Sequence, residues 1–274
     1  MKISMKELNS KKADYESKDC KVYYTDNLVL KRFLHLNNSE KRILEKKYEY
    51  AKDVSIENLS LPIDKLETEN GFCGYVENVV PGYKELTTYA DYYNENRETI
   101  AIDDVTSYIL SCHRIVDECH KNNIINPDLS SEGNSLFDSK TRNVYLLDYQ
   151  GMQVDDMKTK NISDFIAFDP ILAEQKYYKD DLYNKNIDLY TLAIRYFYYI
   201  SKINLPRVMT FYNMKIDELI SMAGLNNTHF AECMKILYDK EKDNEDIKEA
   251  IVSLSKEYEM SKFVQGEVRK LIKK

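Results

Sequence analysis

Between Ile124 and Val154 the chain reads IINPDLSSEGNSLFDSKTRNVYLLDYQGMQV, and three of its polar residues are of the kinds that phosphate chemistry uses. Asp128 lies six residues before Asn134, and Asp148 closes the apolar run NVYLL further on. A carboxylate such as Asp128 can accept the proton of an attacking hydroxyl. The Asn134 amide oxygen and the Asp148 carboxylate are hard oxygen donors, suited to Mg²⁺ carried on substrate phosphates. Phosphoryl transfer depends mostly on such positioning and charge neutralisation. Two short strands flanking the SerLysThrArgAsn turn would bring the three groups together. Asp and Asn in polar turns are also ordinary hairpin punctuation, so the surrounding elements decide between the two readings.

Upstream, residues 1 to 36 read as strands. LysValTyrTyr (21 to 24), a ThrAspAsn turn and LeuValLeuLysArgPhe (28 to 33) predict a hairpin with Lys31 on its second strand. A strand lysine commonly faces solvent on an edge. Asn38 and Ser39 then predict the start of a helix through SEKRILEKKYEYAKD, with Leu44, Tyr48 and Ala51 on one face. LeuProIleAspLysLeu and residues 71 to 79 predict two more strands, and ValValProGlyTyr suggests a hinge near Gly82.

Past the hinge, Val105, Tyr108, Ile109, Cys112, Ile115, Val116 and Cys119 fall at helical spacing over 103 to 122. In the CysHis pairs at 112–113 and 119–120 the cysteines continue this stripe, and seven-residue spacing on one helix suits core cysteines and structural histidines better than a metal site. Residues 187 to 200 are apolar nearly all round, as in a buried helix, and the chain from about 208 onward reads as further helices.

Composition bounds the partners. With 274 residues, 43% of them apolar, the chain can build a large core without staples. A net charge of −7 argues against general nucleic-acid binding. Five cysteines without CxxC spacing fit reduced thiols. Without a Sec-type leader or a run of membrane-spanning length, the expectation is a cytoplasmic protein with no membrane span.

The segments AsnProAspLeuSerSerGluGlyAsn (126 to 134) and AspTyrGlnGly (148 to 151) resemble the catalytic and metal-binding loops of the protein kinase superfamily, HRDLKPEN and DFG. The resemblance covers about residues 20 to 200. The hairpin resembles the strands that carry the VAIK lysine, here Lys31. GluLysArgIleLeu resembles the αC segment, with Glu40 as the partner of Lys31 and Glu45 as its rival. Residues 76 to 79 resemble the hinge. Asp188 matches the buried aspartate of the αF helix, and IleLeuAlaGlu (171 to 174) the end of an activation segment.

The resemblance implies an α+β, bilobal protein-kinase-like fold: a small β-rich N-lobe over 1–80 and a helical C-lobe over 81–274. It implies ATP and Mg²⁺ as cofactors, with Lys31 on the phosphates, Glu40 orienting Lys31, Asp128 as base, and Asn134 and Asp148 on the metal. Val76 would stand near the gatekeeper position, and Glu77 to Val79 would offer backbone groups to adenine. The expected partners are a nucleotide and a protein substrate bearing Ser or Thr hydroxyls, and the sequence leaves the oligomeric state open.

The chain departs from the family at several points. Asn126 and Pro127 replace His and Arg, Ser130 replaces Lys, and one extra residue separates Asp128 from Asn134. No glycine precedes Gly71, so the glycine-rich phosphate loop is replaced by AspTyrGluSerLysAspCys (14 to 20). These departures keep two alternatives in view: a pseudokinase acting as a binding or scaffolding module, and a small-molecule kinase of the aminoglycoside or choline kinase type.

Overall fold

A computed structural model describes residues 1–96, 99–129, 132–159, 178–179, 182–201, 204–211 and 213–222. The protein is mixed α+β and divides into two compact units, 1–86 with 145–150, and 87–144 with 151–274.

The first unit is built on a five-stranded antiparallel sheet in the order β1-β2-β3-β5-β4. Its strands are β1 (Tyr15–Glu16), β2 (Cys20–Tyr24), β3 (Leu28–Phe33), β4 (Pro62–Thr68) and β5 (Gly71–Asn78). Thr25 closes the β2–β3 turn by accepting at Oγ1 from the Leu28 N–H at 3.1 Å. The β4–β5 turn uses Gly71 at φ +88°, a left-handed conformation that glycine adopts without a Cβ penalty.

Residues 1 to 36, expected to be strands alone, also contain a helix, α1 (Met5–Ser10), capped by the Ser4 hydroxyl accepting from Glu7 N–H. Six residues with one buried apolar side chain give too short a period to be read from sequence. That side chain, Leu8, packs with Tyr23, Leu30, Leu66 and Val76 in the core under the sheet.

Helix α2 (Asn38–Ala51) begins one residue after its cap, Asn37, whose side chain accepts from the Ser39 and Glu40 N–H groups at 2.9 Å. It is fastened to the sheet by the Tyr75 hydroxyl, which donates to the Leu44 carbonyl at 2.6 Å. Residues 145–150 belong to this unit because their backbone is stitched to the loop before β4: Leu146 N–H donates to Asn58 O at 2.8 Å, and Ser60 N–H to Leu146 O at 2.9 Å.

The second unit is mainly helical. Its long helices are α4 (Ile102–Lys121) and α5 (Asn186–Ser201), which pack together, with α3 (Tyr89–Glu95) beside them. β6 (Thr87–Thr88) pairs antiparallel with β8 (Ser135–Phe137). β7 (Ile124–Ile125) pairs with β10 (Gln153–Val154). The turn from Asp138 to Asn143 leads into β9 (Val144–Leu146), on which the chain returns to the first unit. A hairpin of β11 (Tyr178–Lys179) and β12 (Leu182–Tyr183) precedes α5, and the short helices α6 (Leu205–Phe211) and α7 (Ile216–Met222) follow it.

The core of this unit is aromatic. Tyr89 stacks on Tyr108 with ring centroids 3.5 Å apart, and Phe137 and Tyr199 meet Tyr89 edge-on. Such pairs add to the area they bury. Two hydroxyls in this core are paired: Tyr108 meets Ser135 Oγ at 2.9 Å, and Tyr196 meets Thr106 Oγ1 at 2.8 Å. Cys112, Cys119, His113 and His120 are buried on α4. No described helix is long and apolar enough to cross a membrane. The activation-segment resemblance at 171 to 174 and the helices expected beyond 222 lie outside the described residues.

One glycine controls the central register. Gly74 on β5 lies opposite Arg32 on β3 and Leu66 on β4, and a Cβ at this position would fall 1.8 Å from the Lys31 carbonyl oxygen. The clash is with backbone, so the strands would have to part. Gly74→Ala is expected to destabilise the protein by about 3 kcal/mol, measured by urea denaturation; a loss within about 0.5 kcal/mol would mean that β3 and β5 yield there at little cost.

Candidate functional site

In the first unit Lys31 sits mid-strand on β3, between Val22 of β2 and Tyr75 of β5. Its neighbours across the ladder are apolar or aromatic, so its ammonium needs a carboxylate partner on the sheet's buried face. Lys31 Nζ lies 3.1 Å from Glu77 Oε1, with the two side chains only 10% and 2% exposed. The other Glu77 oxygen accepts from the Ser60 hydroxyl at 2.6 Å. Burial alone would lower the lysine pKa, but the Glu77 and Asp148 carboxylates outweigh it and hold the pKa above the ordinary 10.5. Lys31 is therefore a fixed, charged ammonium at neutral pH.

The partner of Lys31 is neither Glu40 nor Glu45. Glu40 occupies the third position of α2, where its carboxylate accepts from the Asn37 N–H at 3.0 Å and completes a capping box. An exposed carboxylate at a helix start is held there by backbone N–H groups and by the helix dipole. Glu77 takes the pairing role because Val29 lies opposite Glu77 in the β3–β5 register, which puts Lys31 and Glu77 on one face as diagonal neighbours.

Val76 is buried in the apolar core. Glu77 acts through its carboxylate on Lys31, a role that the sequence reading missed. The Val79 N–H donates to the Asn27 carbonyl at 3.1 Å and so is already engaged.

Asp148 follows β9 with φ 70°, a left-handed conformation that Asp adopts more readily than most side chains. Its Oδ1 accepts from the Gln150 side-chain amide. The oxygen of the same amide lies 3.5 Å from Lys31 Nζ. The turn is held from behind by α2: Lys47 Nζ donates to the Gln150 carbonyl at 3.0 Å, and the buried Tyr149 hydroxyl donates to the Lys47 carbonyl at 3.0 Å. Burial lowers the Lys47 pKa to about 8, with the Asp148 charge opposing that shift only in part.

In the second unit the loop from Asn126 to Asn134 carries Asp128. The Asn134 side-chain amide donates to the Asp128 carbonyl at 3.0 Å and to its carboxylate at 3.1 Å, which fixes the two residues together. The base of the loop is tied to α5, where both oxygens of Asp188 accept from the Asn126 N–H at 3.0 Å. His120, at the end of α4, meets Asp188 Oδ2 at 2.9 Å. Asp188 is fully buried, and that burial raises its pKa against the lowering effect of His120. The Asp188 contact of His120 was not foreseen, because its partner lies 68 residues on and nothing local to α4 names it.

Among the described residues, no three His, Cys, Asp or Glu side chains gather into a metal-binding cluster. No protein-family model matches the chain, and no curated protein matches it significantly.

Lys47 generates a pH prediction. Between about 8 and the ordinary lysine value of 10.5 the unfolded chain holds a proton on this lysine that the folded chain has released. The stability linked to it is complete above the unfolded pKa and is lost as pH falls through about 8. Relative to Lys47→Met, the wild type is expected to gain roughly 2–3 kcal/mol on going from about pH 7 to about pH 10. Urea denaturation of both proteins at the two pH values measures this, and a pH-independent difference would show that burial does not shift Lys47.

Proposed function

We propose that the chain is an ATP-dependent phosphotransferase with a bilobal protein-kinase-like fold, acting on Ser or Thr hydroxyls of proteins. The observation that carries this reading is the arrangement in the first unit: a buried lysine, charged at neutral pH, and an aspartate carboxylate held within the span of one side-chain amide. A cation for phosphate oxygens and a hard oxygen donor for a metal are the two groups that a nucleotide triphosphate with Mg²⁺ needs.

On this reading Lys31 holds phosphates, Glu77 orients Lys31 in place of Glu40, and Asp148 would give a carboxylate oxygen to Mg²⁺. The ion would neutralise charge on the phosphates, and with so few protein ligands it would arrive together with the nucleotide. Asp128 accepts the proton of the attacking hydroxyl, and the Asn134 amide keeps its carboxylate in one orientation. Asp188 keeps the backbone of that loop in place.

A second reading, a pseudokinase that binds partners without turnover, is favoured by the β1–β2 turn. Ser17 N–H donates to the Cys20 carbonyl at 2.8 Å, and the Asp19 and Cys20 N–H groups donate to Ser17 Oγ at 3.3 and 3.1 Å. These backbone donors are engaged within the turn, whereas a phosphate-covering loop must turn its N–H groups to the ligand.

Calorimetry with Mg·ATP tests the first link. Wild type is expected to bind, and Asp148→Asn, which tolerates the left-handed backbone, is expected to bind about 100-fold more weakly. Asp128→Asn should keep binding and abolish transfer of labelled phosphate to protein acceptors. Folded wild type that binds no Mg·ATP would remove the phosphotransferase reading. Binding without transfer to any hydroxyl acceptor would favour the pseudokinase, and transfer only to a small molecule would reassign the substrate class.

A further inference from the structure

The Gln150 side chain stands between the two groups to which the nucleotide reading gives phosphate and metal. Its oxygen faces the Lys31 ammonium at 3.5 Å, and its NH₂ donates to the Asp148 carboxylate. The amide is thus oriented with its acceptor toward the cation and its donor toward the anion, the sense that both charges favour.

Its backbone has little freedom to move away. The Gln150 carbonyl is held by Lys47 Nζ at 3.0 Å, and the preceding Tyr149 is buried with its hydroxyl on the Lys47 carbonyl. The side chain itself is only partly buried. Rotation of the side chain is therefore the route by which Lys31 and Asp148 can exchange the amide for another ligand.

From this geometry we infer that Gln150 is a self-occupying residue that sets how tightly the Lys31–Asp148 pair takes a metal-bound phosphate; the inference rests on the nucleotide reading above. A phosphate oxygen arriving at Lys31 replaces the amide oxygen, and a cation arriving at Asp148 replaces the amide NH₂. Both exchanges precede productive binding, so the amide competes with every phosphate ligand. The competitor is tethered, and its effective concentration is high and constant. A ligand that supplies only a phosphate, or only a divalent cation, displaces one end of the amide and leaves the other bonded. The site thereby favours the metal–phosphate complex over either component alone.

Calorimetric titration of wild type, Gln150→Ala and Gln150→Glu with Mg·ATP, with Mg²⁺ alone and with ATP alone tests this. Removal of the amide is expected to tighten Mg·ATP binding about tenfold, the scale of one net hydrogen bond. It should also narrow the preference for the complex over its components. Gln150→Glu, which places an anion against both Asp148 and the incoming phosphate, should weaken binding. Unchanged or weaker binding in folded Gln150→Ala, with wild type binding, overturns the role given to Gln150 and leaves the nucleotide reading standing. Absence of binding in both folded proteins removes the nucleotide reading itself, and the inference with it.

Discussion

A lysine ammonium buried in a β-sheet must be neutralised where it lies, and much of the first unit is arranged around that requirement. Desolvation of Lys31 opposes its charge, so the sheet must present a carboxylate on the same face and within reach. Glu77 does this from β5, at 3.1 Å and almost fully buried. Its second oxygen is satisfied by Ser60, so the carboxylate faces two directions and is oriented by both. The pairing in turn requires the β3–β5 register, and that register requires a residue without a side chain at 74, where the Lys31 carbonyl approaches. The aromatic ring opposite Lys31 carries the constraint outward, since Tyr75 bonds through its hydroxyl to α2.

A comparable requirement organises the second unit around Asp188. Among the described residues its carboxylate is met by one backbone N–H shared between both oxygens and by the His120 ring. These bonds connect the end of α4, the start of the Asn126–Asn134 loop and the first turn of α5. A loop placed by a fully buried carboxylate has little latitude at its base. That rigidity passes to Asp128, whose carbonyl and carboxylate are both held by Asn134. In each unit, then, a side chain of chemical interest is positioned through an acidic group that water does not reach.

The elements that hold these groups were legible because they are long and regular. β3 is rich in strand formers over Leu28–Phe33, α2 carries a capping residue and an apolar face, α4 shows a helical stripe well beyond ten residues, and α5 is apolar nearly all round. What escaped was whatever depends on pairing at a distance. Nothing local distinguishes Glu77 from a surface glutamate; only the strand register makes it the diagonal neighbour of Lys31. Glu40 is the opposite case, because Asn37 and Glu40 stand at capping-box spacing and the local explanation was present in the sequence. Helix α1 was hidden by its length, and the role of Gly74 by its dependence on a neighbouring strand's backbone.

Lys31 and Lys47 show how partner chemistry, more than depth, sets the state of a buried base. Both are nearly inaccessible, and both feel Asp148. Lys31 has a carboxylate in contact, and its pKa rises despite burial. Lys47 has a backbone carbonyl as its close acceptor, which offers a partial charge in place of a full one, and its pKa falls to about 8. The second lysine therefore weakens the fold at neutral pH in return for a latch between α2 and the turn that presents Asp148 and Gln150. A methionine of similar length would fill the volume but leave the Gln150 carbonyl without that donor. The latch is what turns a three-residue turn into a fixed platform, and only on a fixed platform does the orientation of one amide between a cation and a carboxylate acquire chemical consequence.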